Sequence, residues 1–258
     1  MKYIIDYALC CHKGKLRRKN QDNFFCEGEF LPAENDGYDG IKTGKITSDG
    51  KSVLAVFDGM GGEQMGEYAS YIASSVLNEL TDKDTSRSLG EYCLDINRRI
   101  CDFANEKGIR SMGTTGCLIR FDKKEISVCN IGDSKIYHLN GNAMLQLSVD
   151  HAIKTGSGKA PLTQFLGVPE EEFIIQPHST TAEYGKGDIF LICSDGLTDM
   201  TDLQSIKTVL ASGKSMKECA EALLSLALDG GGRDNITVLL CQDKKKHYFN
   251  KGSKKKGE

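Results

Sequence analysis

The chain lacks the marks of several protein classes. No apolar stretch in its 258 residues approaches the roughly 18 needed to span a membrane. The opening Met1-Lys-Tyr-Ile-Ile-Asp6 sets an acid inside its short apolar stretch and has no secretory leader pattern. Ten cysteines are present but scattered, with no C-x-x-C pair. Cys117, Cys129, Cys193 and Cys241 fall inside expected strands, where a reduced thiol acts as a small apolar side chain. A reducing cytoplasm is the expected location. No basic stripe with aromatics runs through the body, so neither nucleic acid nor an anionic membrane is an expected partner. The net charge of −3 conceals an uneven distribution: residues 243–258 carry seven Lys, leaving 26 basic against 34 acidic residues before them. That Lys-rich end reads as a solvated, disordered tail following one catalytic domain over residues 1–242.

What is present is a set of aspartates at the ends of apolar runs. Asp58 closes Ser52-Val-Leu-Ala-Val-Phe57, Asp195 closes Asp188-Ile-Phe-Leu-Ile-Cys-Ser194, and Asp234 opens Asp234-Asn-Ile-Thr-Val-Leu-Leu240; Asp22 is the fourth. Such runs read as buried strands, which hold the backbone at their ends and leave the side chain free. Carboxylates gathered from distant segments repel unless something positive lies between them. Hard divalent cations prefer oxygen ligands, and Mg²⁺ or Mn²⁺ fits that need.

An isolated Asp-Gly is most often only a turn. Here the order of the flanking words adds information. Gly14-Lys-Leu-Arg17-Arg-Lys-Asn20-Gln-Asp22, Val56-Phe-Asp58-Gly-Met-Gly-Gly62, Met112-Gly-Thr-Thr115, Ile131-Gly-Asp133-Ser-Lys135, Asp150-His151, Cys193-Ser-Asp195-Gly-Leu197 and Arg233-Asp-Asn-Ile-Thr237 follow one another. This series resembles the type 2C, metal-dependent protein serine/threonine phosphatases, in particular the compact bacterial members. It extends over about residues 6 to 241.

The resemblance implies a role for each residue. Asp58 would bridge two Mn²⁺ or Mg²⁺ ions, the Gly59 carbonyl would bind one, Asp195 and Asp234 would hold the other, and Asp22 would act mostly through metal-bound water. Asp133 matches the position that joins Asp195 at a third, weaker metal site; the plain reading is a turn aspartate. Arg17 would grip the phosphoryl group, with Arg18 competing for that role. A metal-bridging hydroxide would attack phosphorus in line. None of the cysteines is read as standing in a C-x5-R signature, so covalent catalysis is not expected. The implied substrates are phosphoserine and phosphothreonine proteins, with a cognate protein kinase and a monomeric state. The rival readings are an inactive phosphopeptide-binding pseudophosphatase, whose mark would be a lost metal aspartate, and a phosphatase dedicated to one stress or sporulation regulator.

Several positions depart from the family pattern. Gln21 stands where many relatives have Glu, Lys135 where Arg is usual, and Met60 where animal members often have a proton-donating His. His151 is open to two readings, a general acid acting through water or a structural histidine. Residues 152–165 form a shortened, glycine-rich flap, not expected to fold into short helices. Residues 27–50 read as an inserted loop or loose hairpin.

Periodicity completes the outline. Apolar positions from Met65 to Leu80 and from Leu89 to Ala104 follow helical spacing, as do those after Ser215, and a shorter helix is expected over Thr201 to Leu210. Ser88 with Glu91 and Ser215 with Glu218 form capping-box words. Strands are expected at 3–10, 22–26, 52–58, 114–121, 125–131, 135–139, 172–176, 188–194 and 235–241. Helix pairs separated by a block of strands suit an α+β protein, a four-layer α-β-β-α sandwich of two antiparallel sheets, which the resemblance also implies.

Overall fold

The computed structural model describes residues 3–38, 40–48, 52–60, 65–83, 86–122, 125–153 and 161–244. Among them the chain runs β1 (Tyr3–His12), β2 (Asp22–Cys26), β3 (Lys42–Ser48), β4 (Ser52–Met60), α1 (Gly66–Lys83) and α2 (Leu89–Lys107). There follow β5 (Gly113–Thr114), β6 (Gly116–Phe121), β7 (Glu125–Ile131), β8 (Lys135–Asn140), β9 (Ala143–Gln146), β10 (His178–Glu183) and β11 (Ile189–Cys193). The last elements are α3 (Asp195–Thr198), α4 (Leu203–Leu210), α5 (Met216–Asp229) and β12 (Ile236–Asp243).

Strand alternation sorts these elements into layers. In β1, Tyr3, Ile5, Leu9 and Cys11 enter a core shared with Phe24, Val56, Phe190 and Leu239 of both sheets, while Ala8 and Cys10 turn to the other face. One sheet has the order β3-β1-β12-β11-β8-β9 and the other β10-β7-β6-β4-β2, with β5 paired to β4. α1 and α2 cover the second sheet through Ala69, Ala73, Leu77, Tyr92 and Ile96 against Ala55 and Phe57. α5 covers the first through Cys219, Ala220, Leu223 and Ala227 against Val238 and Leu240. The fold is thus the expected α-β-β-α sandwich of antiparallel sheets.

Both capping boxes form: the Ser88 and Ser215 hydroxyls accept from Glu91 N and Glu218 N, and the two glutamates accept from the serine backbone N–H groups. At the far end of α2, Gly108 takes φ 68°, a left-handed cap that favours glycine.

The sheet edges differ from the sequence reading. Residues 172–176 are no strand; Phe173 and Ile174 are exposed, and the pairing falls instead on His178–Glu183, an edge strand of alternating exposure. The segment over 27–50, expected as a loop or loose hairpin, contains β3, which among the described residues pairs only with β1 and buries only Ile46 of its described side chains. Leu31 is pinned to the body, because the buried Asn23 amide donates to Leu31 O and accepts from Leu31 N at 2.9 Å each. In the flap, Ile153 N donates to Pro161 O at 3.0 Å and Ala152 bridges Leu162. Residues 154–160 of the flap and the tail from residue 245 onward lie outside the described residues.

Candidate metal centre

Strand register gathers the aspartates. Asp22 opens β2 directly opposite Asp58 near the end of β4. In the other sheet, the end of β1 pairs with the start of β12, His12 to Ile236, placing Arg17 and Asp234 at one end. The end of β11 pairs with the same start of β12, Cys193 to Val238, and with the start of β8, Cys193 to Lys135. Asp195 and Asp133 therefore emerge at that end as well. The sequence reading placed these carboxylates at strand ends, and antiparallel pairing brings the ends together.

Asp22 joins the two sheets. Only 1% exposed, its Oδ2 accepts hydrogen bonds from Ser194 Oγ and Thr237 Oγ1, both at 2.7 Å. Its Oδ1 is buried with no hydrogen-bond partner among the described residues. Burial, opposed by those two hydroxyls and reinforced by Asp195 and Asp234, pushes the carboxyl up to about 7. Arg17 faces these acids, its Nη2 lying 2.6 Å from Asp234 Oδ2. Asp234, by its hydrogen bond, and then the charges of Asp58 and Asp195 hold the guanidinium above its ordinary pKa. Arg18 instead lines a cavity of about 360 Å³ with Lys19, Glu34 and Asp36.

Among the described residues, no three His, Cys, Asp or Glu side chains stand grouped tightly enough to hold a metal ion as placed. The donor chemistry nevertheless fits a hard divalent cation, because it offers carboxylate oxygens, one of them buried and unsatisfied, and a backbone carbonyl. Gly59 has a packing reason to be glycine: a Cβ there would lie 2.2 Å from Gly66 O and 2.4 Å from Gln21 O.

Some residues here carried no separate signal in the sequence. Asn235, 4% exposed, accepts from Gln21 N at 2.9 Å and donates to Lys13 O and Lys19 O at 2.8 and 3.0 Å, fastening the segment that carries Arg17. Ser194, Asn235 and Thr237 stand inside the motif words beside the aspartates, as ordinary polar residues. Glu67, 3% exposed, accepts from Gln21 and Lys19.

On the Asp133 side, Lys135 Nζ donates to Asp133 O at 3.0 Å and to Asp150 Oδ2 at 2.9 Å. His151 Nδ1 accepts from Gly132 N at 3.1 Å, and His151 N donates to Gly132 O at 2.9 Å. Burial, then the neighbouring His178, lowers the imidazole pKa, and the two hydrogen bonds to Gly132 fasten the turn.

The cysteine spacing needs correction. Cys11 to Arg17 and Cys93 to Arg99 do have the C-x5-R spacing that the sequence reading counted as absent. Neither cysteine is a nucleophile. Cys11 is fully buried, and burial followed by the charge of Asp22 pushes its thiol up to about 12. Cys93, equally buried, is raised well above the ordinary thiol range by its contact with Cys129 and then by burial.

Comparison with known proteins bears on the family and the fold. A family model described as protein phosphatase 2C matches residues 39–227. The serine/threonine phosphatase stp of Listeria welshimeri is 31% identical over 257 residues, covering 89% of this chain and 92% of the relative. The solved serine/threonine phosphatase PstP/Ppp of Mycobacterium tuberculosis superposes with a TM-score of 0.75 at 26% identity, covering 93% and 98% of the two chains. A PstP catalytic domain solved in complex with two manganese ions superposes with a TM-score of 0.71, also at 26% identity, over 93% and 99%.

Proposed function

The chain belongs to the protein phosphatase 2C family of serine/threonine phosphatases, and from that membership we propose a two-cation mechanism on phosphoserine and phosphothreonine proteins, opposing a protein kinase. Asp58, Asp195 and Asp234, the Gly59 carbonyl and Asp22 would hold two Mn²⁺ or Mg²⁺ ions, and Asp133 would contribute to a third, weaker site. The observation that carries this reading is Asp22: a buried carboxylate with one oxygen fixed by two hydroxyls and the other without a hydrogen-bond partner among the described residues, at the strand ends that also deliver Asp58, Asp195 and Asp234.

Bound cations supply the Lewis acidity that activates water for direct attack on phosphorus. The protein's own part is to position and neutralise. Two ions carry +4 against four aspartates, so a phosphomonoester dianion still needs a cation. Arg17, half-exposed and already facing the cluster, can release Asp234 and take two phosphoryl oxygens in its planar fork. No side chain needs to become phosphorylated, in keeping with the buried, high-pKa thiols. None of the four aspartates is missing, the loss that would mark a pseudophosphatase.

The test is phosphate release from a phosphothreonine peptide by metal-stripped protein, with and without added Mn²⁺ or Mg²⁺, beside Asp58→Asn. Hydrolysis should require metal and disappear in the variant. Silence from metal-loaded wild type would favour the pseudophosphatase.

A further inference from the structure

Gln21 departs from the family pattern by lacking a carboxylate, and the structure shows a carboxylate supplied to it from another element. Gln21 Nε2 donates to Glu67 Oε2 at 3.0 Å, and Lys19 Nζ donates to the other oxygen, Oε1, at 2.5 Å. Glu67 is 3% exposed and sits in the first turn of α1, where the helix dipole favours an anion. Its carboxyl is held below the ordinary Glu range: the hydrogen bonds from Lys19 and Gln21 outweigh the larger single effect of burial. Both carboxylate oxygens thus have a donor.

This fixes more than one side chain. A carboxylate accepts only, so the Gln21 amide must present its NH₂ to Glu67 and turn Oε1 away. The Gln21 backbone is held independently: its N donates to Asn235, and its O accepts from Gly59 N at 3.0 Å and Ser70 Oγ at 2.7 Å. α1 begins hard against the same segment, since a Cβ on Gly66 would lie 2.8 Å from Gln21 Nε2 and 2.9 Å from both Gly59 C and Met60 N. The start of α1, the residue before Asp22 and the residue after Asp58 are one interlocked unit. Glutamates at both 21 and 67 would set two carboxylates at hydrogen-bond distance, each raising the other's pKa. Amide at 21 and acid at 67 are therefore matched.

We propose that Glu67 is a positioning residue for divalent-cation binding: by fixing the Gln21 amide it sets Asp22 and the Asp58-Gly59 backbone in relative place. The proposal rests on the reading of this end of the sandwich as a divalent-cation centre. Its role is carried by the Gln21–Glu67 pair, so exchanging the two side chains preserves the bond with donor and acceptor reversed, whereas losing one partner breaks it.

The experiment is direct Mn²⁺ binding by calorimetry on wild type, Glu67→Ala, Gln21→Glu with Glu67→Gln together, and Asp58→Asn, each with a urea denaturation curve. Glu67→Ala should weaken Mn²⁺ binding about tenfold or more, the usual scale for a lost outer partner of a metal ligand. The double exchange should bind within about threefold of wild type, a recovery tied to restoring the bond. Two results overturn the proposal alone: wild-type affinity in Glu67→Ala, or a loss there that the exchange does not recover. If wild type itself binds no Mn²⁺, the cation-centre reading falls and this one with it; loss confined to Asp58→Asn leaves that reading standing and removes only Glu67.

Discussion

At the scale of single residues, the centre depends on neutral side chains as much as on charged ones. Ser194 and Thr237 hold Asp22 Oδ2 from the opposite sheet, and Thr237 also contacts Cys11 Sγ at 3.2 Å. Thr237→Val keeps the shape and removes one donor from a buried carboxylate, so it should lower stability by about 1–3 kcal/mol and weaken Mn²⁺ binding. Urea denaturation and a binding isotherm check the two effects separately; an unchanged denaturation curve would mean that Asp22 does not depend on this hydroxyl. The aspartates were legible in the sequence because an acid closing an apolar strand is conspicuous. Their partners and neighbours were not. Ser194, Thr237, Asn235 and Glu67 are ordinary polar residues until pairing across strands and sheets shows what they face. The C-x5-R spacings make the converse point, since burial removes the nucleophile that a spacing suggests.

At the scale of elements, legibility followed burial. Helices with one apolar stripe and a capping word were readable from the chain, and α5 begins at its expected cap Ser215. Ser215→Ala should cost about 1 kcal/mol of stability by removing the acceptor for Glu218 N. It should leave phosphatase turnover unchanged, because the cap lies beside Asp6 and Lys244, at the opposite end of the first sheet from the β1–β12 residues leading to Arg17 and Asp234. A fall in turnover matching the fall in stability would contradict that separation. β3, β9 and β10 were missed or misplaced because each is a sheet edge that is largely exposed on at least one face and carries polar residues, so it lacks the apolar run that announces a buried strand. β2 is an edge as well, but it is buried at every position and was legible. Phe173-Ile174-Ile175 has such a run, but only Ile175 is buried.

At the scale of the whole molecule, three apolar layers account for the cysteine content. Nine of the ten cysteines are buried and Cys101 is partly exposed, all as free thiols. Burial, then Asp102 and the Glu170–Glu172 acids, pushes the Cys101 thiol up to about 11. Titration with an aromatic disulfide reagent at neutral pH should therefore find one slowly reacting thiol in the native protein, lost in Cys101→Ser, and ten once the chain is unfolded. Several fast native thiols would mean that the layers open readily. The sandwich was legible from the grouping of helices around a block of strands, while the way the sheets lock together was not, because register between layers leaves no local pattern.

The position of Asp22 gives that lock a mechanical meaning. Its backbone belongs to one sheet and its oxygen is gripped by residues of the other, across an apolar interface. A slip of a single residue spacing, about 3.3 Å, would break both hydroxyl contacts and pull Asp22 and Asp58 away from Asp195 and Asp234. The centre therefore works as an alignment gauge for the two halves of the sandwich. Moderate pressure or mild denaturant should silence the enzyme while most of its strands remain intact.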